Sequence, residues 1–246
     1  MIVNIHAHLT VRRLRLASGL VMFVYLTIHL LNHALGIISI DLAENALGLA
    51  MSLWRNPVGT FLLYGAAFVH VALALWTLYS RREWQLPFIE ILRLFAGFSF
   101  PLLLIGHAVT TRLGDELYDI QPSYALIIAT LLAAGTQGMQ LALLAPGWLH
   151  GCLGLWIPLR RFETMQRLKP LLIALMILIP VLAAIGFIRM AEAVRVLPPV
   201  PPSPELIADR EALAVWAEDL MHGYIALVVG AFLLGRVRAF MVRRQA

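Results

Sequence analysis

Four histidines, His29, His70, His107 and His150, stand inside apolar stretches, each on a different stretch of membrane-crossing length. An ionisable side chain in hydrocarbon is costly and by default marks function. One imidazole on each of four segments is the pattern of ligands for a group held between helices, and paired imidazoles from facing helices hold the iron of a haem. The chemistry these residues point to is bis-histidine ligation, two pairs for two haems. The CxxCH signature of covalent attachment is absent from the sequence, so the expected cofactors are two non-covalent haem b. The lone cysteine, Cys152, allows neither a disulfide within the chain nor a cysteine-rich metal site.

The elements that must position these residues follow from composition. The 246 residues are 61% hydrophobic and only 13% charged, with a mean hydropathy of +0.82. That is about half the charge of a soluble domain. The apolar residues fall in blocks of about 20, enough to cross a hydrocarbon core of about 30 Å. An all-α polytopic membrane protein is expected, a six-helix bundle with spans at about 16–38, 58–79, 91–111, 137–159, 169–190 and 221–241. Asp41–Trp54 reads as a short amphipathic helix on the surface. Tyr124–Ala134 has only 11 residues and is followed by Gly135, Gln137 and Gly138, which suits an interfacial helix rather than a span. Leu197–Pro204 is an extended, Pro-rich external linker, after which Glu205–Asp219 extends the last helix beyond the bilayer. The first apolar stretch is too long for a cleavable signal peptide, and no A-x-A site follows it. No second domain and no internal repeat are read.

Charge fixes the orientation. With both termini in the cytoplasm, the inner side holds Arg12, Arg13, Arg15, Arg81, Arg82, Arg93, Arg160, Arg161, Arg167, Lys169, Arg236, Arg238, Arg243 and Arg244, fourteen of the nineteen basic residues. Counting Tyr124–Ala134 as a span would destroy this bias. The sequence pI of 9.9 therefore reflects membrane flanks and not nucleic acid.

Depth can be counted from the inner arginines. His29 lies 14 residues beyond Arg15 and His107 lies 14 beyond Arg93, whereas His70 lies 11 from Arg81 and His150 lies 10 from Arg160. The four sort into two level pairs, His29 with His107 nearer the outside and His70 with His150 nearer the inside. The implied vertical offset is about 5 Å, less than two haems stacked along the membrane normal need. Gly151 and Gly154 flank His150, and Gly106 precedes His107, small residues that let a flat porphyrin approach the backbone.

Other polar residues have two readings each. His33 lies one turn after His29 on the same face, nearer the external surface, and can compete as the ligand. His222 opens the last span at the outer interface beside Tyr224. Both histidines suit a haem propionate, a quinone head group or plain hydration. Arg15 and Ser18 put a guanidinium and a hydroxyl at the inner hydrocarbon edge, where they suit a quinone carbonyl or a propionate. Arg12 and Arg13 read as membrane anchors, and His6 and His8 as solvated. Asn32 neighbours the outer pair.

The stretch RLRLASGLVMFVYLTIHLLNH (Arg13–His33), with His70, His107 and the WLHGCLGL segment around His150, resembles the dihaem cytochrome b anchors of succinate:quinone and fumarate:quinol oxidoreductases. In that family the first and third haem-bearing helices share one haem and the second and fourth share the other. Carried over, this implies His29 with His107 and His70 with His150. Those anchors typically have five helices, and the sixth span departs from them. With its opening MIVNIHAHLTVRRLRLASG, the chain is similar to the hexahelical N-terminal domain of alpha-proteobacterial class III adenylate cyclases. The resemblance implies a non-catalytic regulatory domain in a bacterial inner membrane, responsive to the quinone pool. It further implies a homodimer and a cytoplasmic cyclase domain following the last helix. An electron-transferring anchor subunit of a quinone oxidoreductase is the alternative. A proton-relay transporter would require carboxylates at span centres, and spans one to five have none.

Overall fold

Helix starts are written into the sequence. Ser39 caps α2 (Ile40–Trp54) by accepting from the Leu42 amide, and Asn56 caps α3 (Pro57–Ser80) by accepting from that of Gly59, with Pro57 at the first helical position. Ser123 does the same for α6 (Tyr124–Ala134) through Leu126. That helix stops at Gly135, whose φ of 67° suits glycine. The chain is described by a computed structural model covering residues 2–197 and 203–245, with side chains at 10–197 and 203–244. The side chains of His6 and His8 and most of the Pro-rich linker lie outside the described residues.

The remaining elements are α1 (Ile2–Leu35), α4 (Phe88–Ala108), α5 (Gly114–Tyr118), α7 (Gln137–Leu159), α8 (Glu163–Arg167), α9 (Lys169–Arg195) and α10 (Pro204–Gln245). A π-turn, Val109–Leu113, joins α4 to α5 in one rod, Phe88–Tyr118. The described residues contain no strand, and six helices are long and apolar enough to cross a membrane. The protein is an all-α polytopic membrane bundle.

Five helices form a ring in the order α1, α3, α10, α4, α7, with α7 returning to α1. The ninth helix lies outside it, in the groove between α1 and α7. The two diagonals, α1 to α4 and α3 to α7, are not among the closely packed pairs. The last helix fills the side that α3 and α4 leave open. At the end away from the arginine-rich one, α6 joins a buried cluster of Ala43, Tyr124, Ile128, Phe187, Met190, Ala191 and Val194 with α2 and α9.

Two expected boundaries change. Span one ends at Leu35, because the backbone turns at Gly36–Ile38. Span three continues to Tyr118 through the π-turn. The last helix takes in 205–219 as expected, one unbroken run of 42 residues, about 63 Å long, and so twice a bilayer core.

Candidate functional site

The diagonals are where the histidines meet. His29 on α1 faces His107 on α4 with ring centres 5.7 Å apart, and His70 on α3 faces His150 on α7 at 6.0 Å. These are the two pairs expected from depth order.

Neighbouring residues set the levels. A Cβ on Gly19 of α1 would lie 3.2 Å from the His70 ring, and one on Gly97 of α4 would overlap the His150 ring. Each glycine precedes the other pair's histidine on its own helix by ten residues, Gly19 before His29 and Gly97 before His107. Ten residues correspond to about 15 Å of rise, so the pairs are stacked about 15 Å apart and not about 5 Å. The arginine count failed because Arg15 and Arg93 are not level with Arg81 and Arg160. Arg15 donates to Thr77 Oγ1 at 2.6 Å and to the Leu73 carbonyl at 3.3 Å, and the Arg93 carbonyl faces the His150 ring.

Hydrogen bonds orient the lower pair for ligation. His150 Nδ1 lies 2.9 Å from the Arg93 carbonyl oxygen, which only accepts, so the proton sits on Nδ1 and the Nε2 lone pair is left for a metal. Ser18 Oγ donates to the Arg15 carbonyl at 3.2 Å and accepts from His70 Nδ1 at 3.2 Å, which puts His70 in the same tautomer. Ser18 is thus buried against a histidine. Both Arg15 Nε and Arg93 Nε are buried without a hydrogen-bond partner among the described residues. They are unspent donors beside the lower pair.

The upper pair is held differently. His107 Nδ1 is 3.1 Å from the Gln140 side-chain amide; a half-turn of that near-symmetric group puts its oxygen there as acceptor. His29 Nε2 lies 3.2 Å from His33 Nε2, and its ring lies parallel to that of Tyr25 at 6.0 Å. His33 is only 5% exposed, packed between Tyr124 at 5.3 Å and Phe187 at 6.2 Å, so it is enclosed by α6 and α9 and does not reach the external surface. Asn32 donates to the Tyr124 hydroxyl at 3.1 Å. Burial, aided by the nearby Glu44 carboxylate, raises the Tyr124 pKa and keeps the phenol neutral.

Two expected residues sit elsewhere. The Tyr224 hydroxyl donates to the Phe98 carbonyl at 2.8 Å, nine residues before His107 on α4. It therefore lies about 13 Å from the upper pair along α4, towards the arginine-rich end. The long helix begins further out, with Leu213 against Gly114. His222 is exposed on α10, two residues from Tyr224 and so on the other side of the helix. Neither residue contacts a histidine pair.

Glycines behave unevenly. Gly106 and Gly154 have nothing within 4 Å of a built Cβ, whereas Gly151 accommodates the Phe23 ring and so belongs to helix packing. Gly19, Gly97, Gln140 and the inward role of Arg93 are not singled out by residue type or hydropathy. A readable signal existed for the glycines, the matched G-x9-H spacing of α1 and α4.

These residues fit haem. Two imidazoles sharing one iron at bonds of about 2 Å have ring centres about 6 Å apart, the spacing of both pairs. No cluster of three or more His, Cys, Asp or Glu among the described residues could hold a bare metal ion, but axial ligation needs only two protein donors. No family model, curated protein or solved structure matches the chain.

Proposed function

We propose that the chain is a dihaem cytochrome b membrane domain that senses the redox state of the quinone pool and regulates a cytoplasmic cyclase domain following its last helix. The carrying observation is the pair of facing imidazoles on each diagonal, stacked ten residues apart. In this reading His70 and His150 hold the lower haem and His29 and His107 the upper one. The protein sits in a bacterial inner membrane with the arginine-rich end and both termini in the cytoplasm. The domain itself is regulatory and not catalytic. The similarity of Arg13–His33 and WLHGCLGL to dihaem anchors supports the same assignment.

A bound haem iron would supply one-electron chemistry, each change of state altering the charge inside a low-dielectric bundle by one unit. The chain's own residues do the rest. Ser18 and the Arg93 carbonyl fix the lower imidazoles, and the Nε–H groups of Arg15 and Arg93 are placed to donate to carboxylates such as propionates. The sixth spanning helix touches α3 where Gly235 meets Tyr79, and α4 where Tyr224 meets Phe98. A displacement of either haem-bearing helix is thereby passed to the helix that leaves the bundle.

The first test is a reduced-minus-oxidised spectrum of purified protein with haem quantified per chain. Two low-spin b haems are expected; zero or one, in protein made with adequate haem supply, overturns the reading. Electron transfer between quinone and a partner dehydrogenase is the second reading, favoured by the stacking itself, which carries redox centres about 15 Å along the bundle axis.

A further inference from the structure

At the arginine-rich end, a cavity of about 550 Å³ is lined by Arg82, Glu83, Trp84, Gln85, Arg236 and Arg243. Two elements build it: the non-helical connection 81–87 between α3 and α4, and the last turns of α10. Arg236 and Arg243 are seven residues apart and so share one face of α10, about 10 Å apart along the axis. Arg82 meets them from the connection. None of the three forms an ion pair among the described residues, and Glu83 on the rim comes within salt-bridge distance of none of them. The neighbouring arginines are otherwise engaged. Arg81 lies over the Trp84 ring at 5.8 Å and Arg238 over the Tyr79 ring at 5.1 Å.

Three arginines and one glutamate line the pocket, a formal charge of about +2, with no ion pair between them among the described residues. Guanidinium forks match phosphate oxygens in geometry and charge. The walls also name the carrier of that phosphate. Trp84 packs edge-on to Phe232 at 5.3 Å; Phe88, next after the connection, is exposed, as is Phe240 on the α10 face of Arg236 and Arg243. An aromatic at the boundary with exposed apolar side chains next to it is the setting of a membrane–water interface. A ligand with a phosphate head in the pocket and an apolar tail along the helices satisfies both surfaces at once.

We propose that this pocket binds a phosphate ester presented by an anionic membrane lipid, bridging the α3–α4 connection to the last helix. The inference stands apart from the haem reading, since no residue of the pocket belongs to either histidine pair. Its consequence is mechanical. Occupancy ties the connection leading into the His107 helix to the end of the helix that exits the bundle, so lipid composition sets how firmly the two move together.

The test uses the full chain in detergent, with phosphatidylglycerol, phosphatidylcholine or inorganic pyrophosphate added as probes and bound species counted by native mass spectrometry. Wild type should keep at least one phosphatidylglycerol per chain under activation that strips phosphatidylcholine. R82Q/R236Q/R243Q should hold it at least tenfold more weakly. R160Q/R161Q/R167Q, which removes equal charge from the same end outside the pocket, should hold it as wild type does. Equal losses in both triples would show diffuse surface attraction and overturn the site. If pyrophosphate raises the Tm of phosphatidylcholine-loaded wild type as much as phosphatidylglycerol does, the ligand is a soluble phosphate and the lipid assignment fails. Should the first triple not fold, R82Q/R243Q, with one change on the connection and one at the helix end, carries the same comparison.

Discussion

His150 shows what the site demands of a single residue. Its ring lies against Gly97 with Nδ1 committed to the Arg93 carbonyl, so its Nε2 is aimed by two backbone features rather than by side-chain choice. Removing His70 or His150 as alanine should therefore cost the lower haem and spare the upper, and removing His29 or His107 should do the reverse, as read by haem per chain falling from two to one. Gly97→Ala should also empty the lower site, because its Cβ would overlap the Cε1–Nδ1 edge of the imidazole that the Arg93 carbonyl holds in place. Gly19→Ala, at 3.2 Å, should need only a small shift of His70 and leave the haem in place. Ser18→Ala removes the acceptor that orients His70 and should weaken lower-haem retention about 10–100-fold, measured by haem transfer to an apo acceptor. His33→Ala should leave two haems; losing one there while His29→Ala loses none would make His33 the ligand. The pairing was legible because each histidine has its own span and depth order survives a coarse ruler. The 15 Å separation was not, since burial of the Arg15 guanidinium on Thr77 cannot be seen until α1 and α3 are docked. The enclosure of His33 was hidden for a similar reason, as it depends on α6 and α9 closing over it.

Among the elements, α6 was the easiest to read. An 11-residue apolar run opened by Ser123 and closed by Gly135 is too short to span and has both stops built in. The last helix was legible in extent but not in depth. Residues 205–219 hold Glu205, Asp209, Glu211, Glu218 and Asp219 and carry no membrane signal, yet the helix runs through them unbroken. Tertiary contacts support that stretch: Arg210 donates to Thr130 on α6 at 2.8 Å, and Leu213 packs on Gly114. Hydropathy alone starts the span at 221 and so puts Tyr224 at the interface, whereas its hydroxyl reaches the α4 backbone. Tyr224→Phe should leave both haems bound and lower stability by about 0.6 kcal/mol, the usual worth of one polar contact between membrane helices. A thermal unfolding series in one detergent, with the haem spectrum followed alongside, checks both halves. Loss of the lower haem in Tyr224→Phe would show that α10 positions α4 at the depth of His150, beyond merely leaning on it.

At the scale of the whole molecule, the ring order is what the proposed sensor reading draws on. Four helices are enough to hold two haems on two diagonals, while α9 buttresses α1 and α7 and closes over His33 with α6. The remaining helix is inserted between α3 and α4, in contact with one partner from each histidine pair, and then continues past the bundle at its arginine-rich end. An electron carrier has no need of such a helix, whereas a sensor needs one element that both sites touch and that reaches an output. Oxidation state can bias that element only through a difference in interaction energy between two bundle arrangements. One unit of charge in a medium of low effective dielectric supplies up to a few kcal/mol, enough to shift a two-state balance about tenfold or more. The decisive experiment fuses a cyclase catalytic domain to Ala246 in unbroken helical phase with α10. In vesicles loaded with quinone and then with quinol, cyclic AMP production should differ severalfold between the two states. The difference should vanish in His70→Ala and in His29→Ala and shrink when two glycines interrupt the junction. Equal activity in both states, with the haems shown spectroscopically to have changed oxidation state, would leave electron transfer as the function of the stacked pairs.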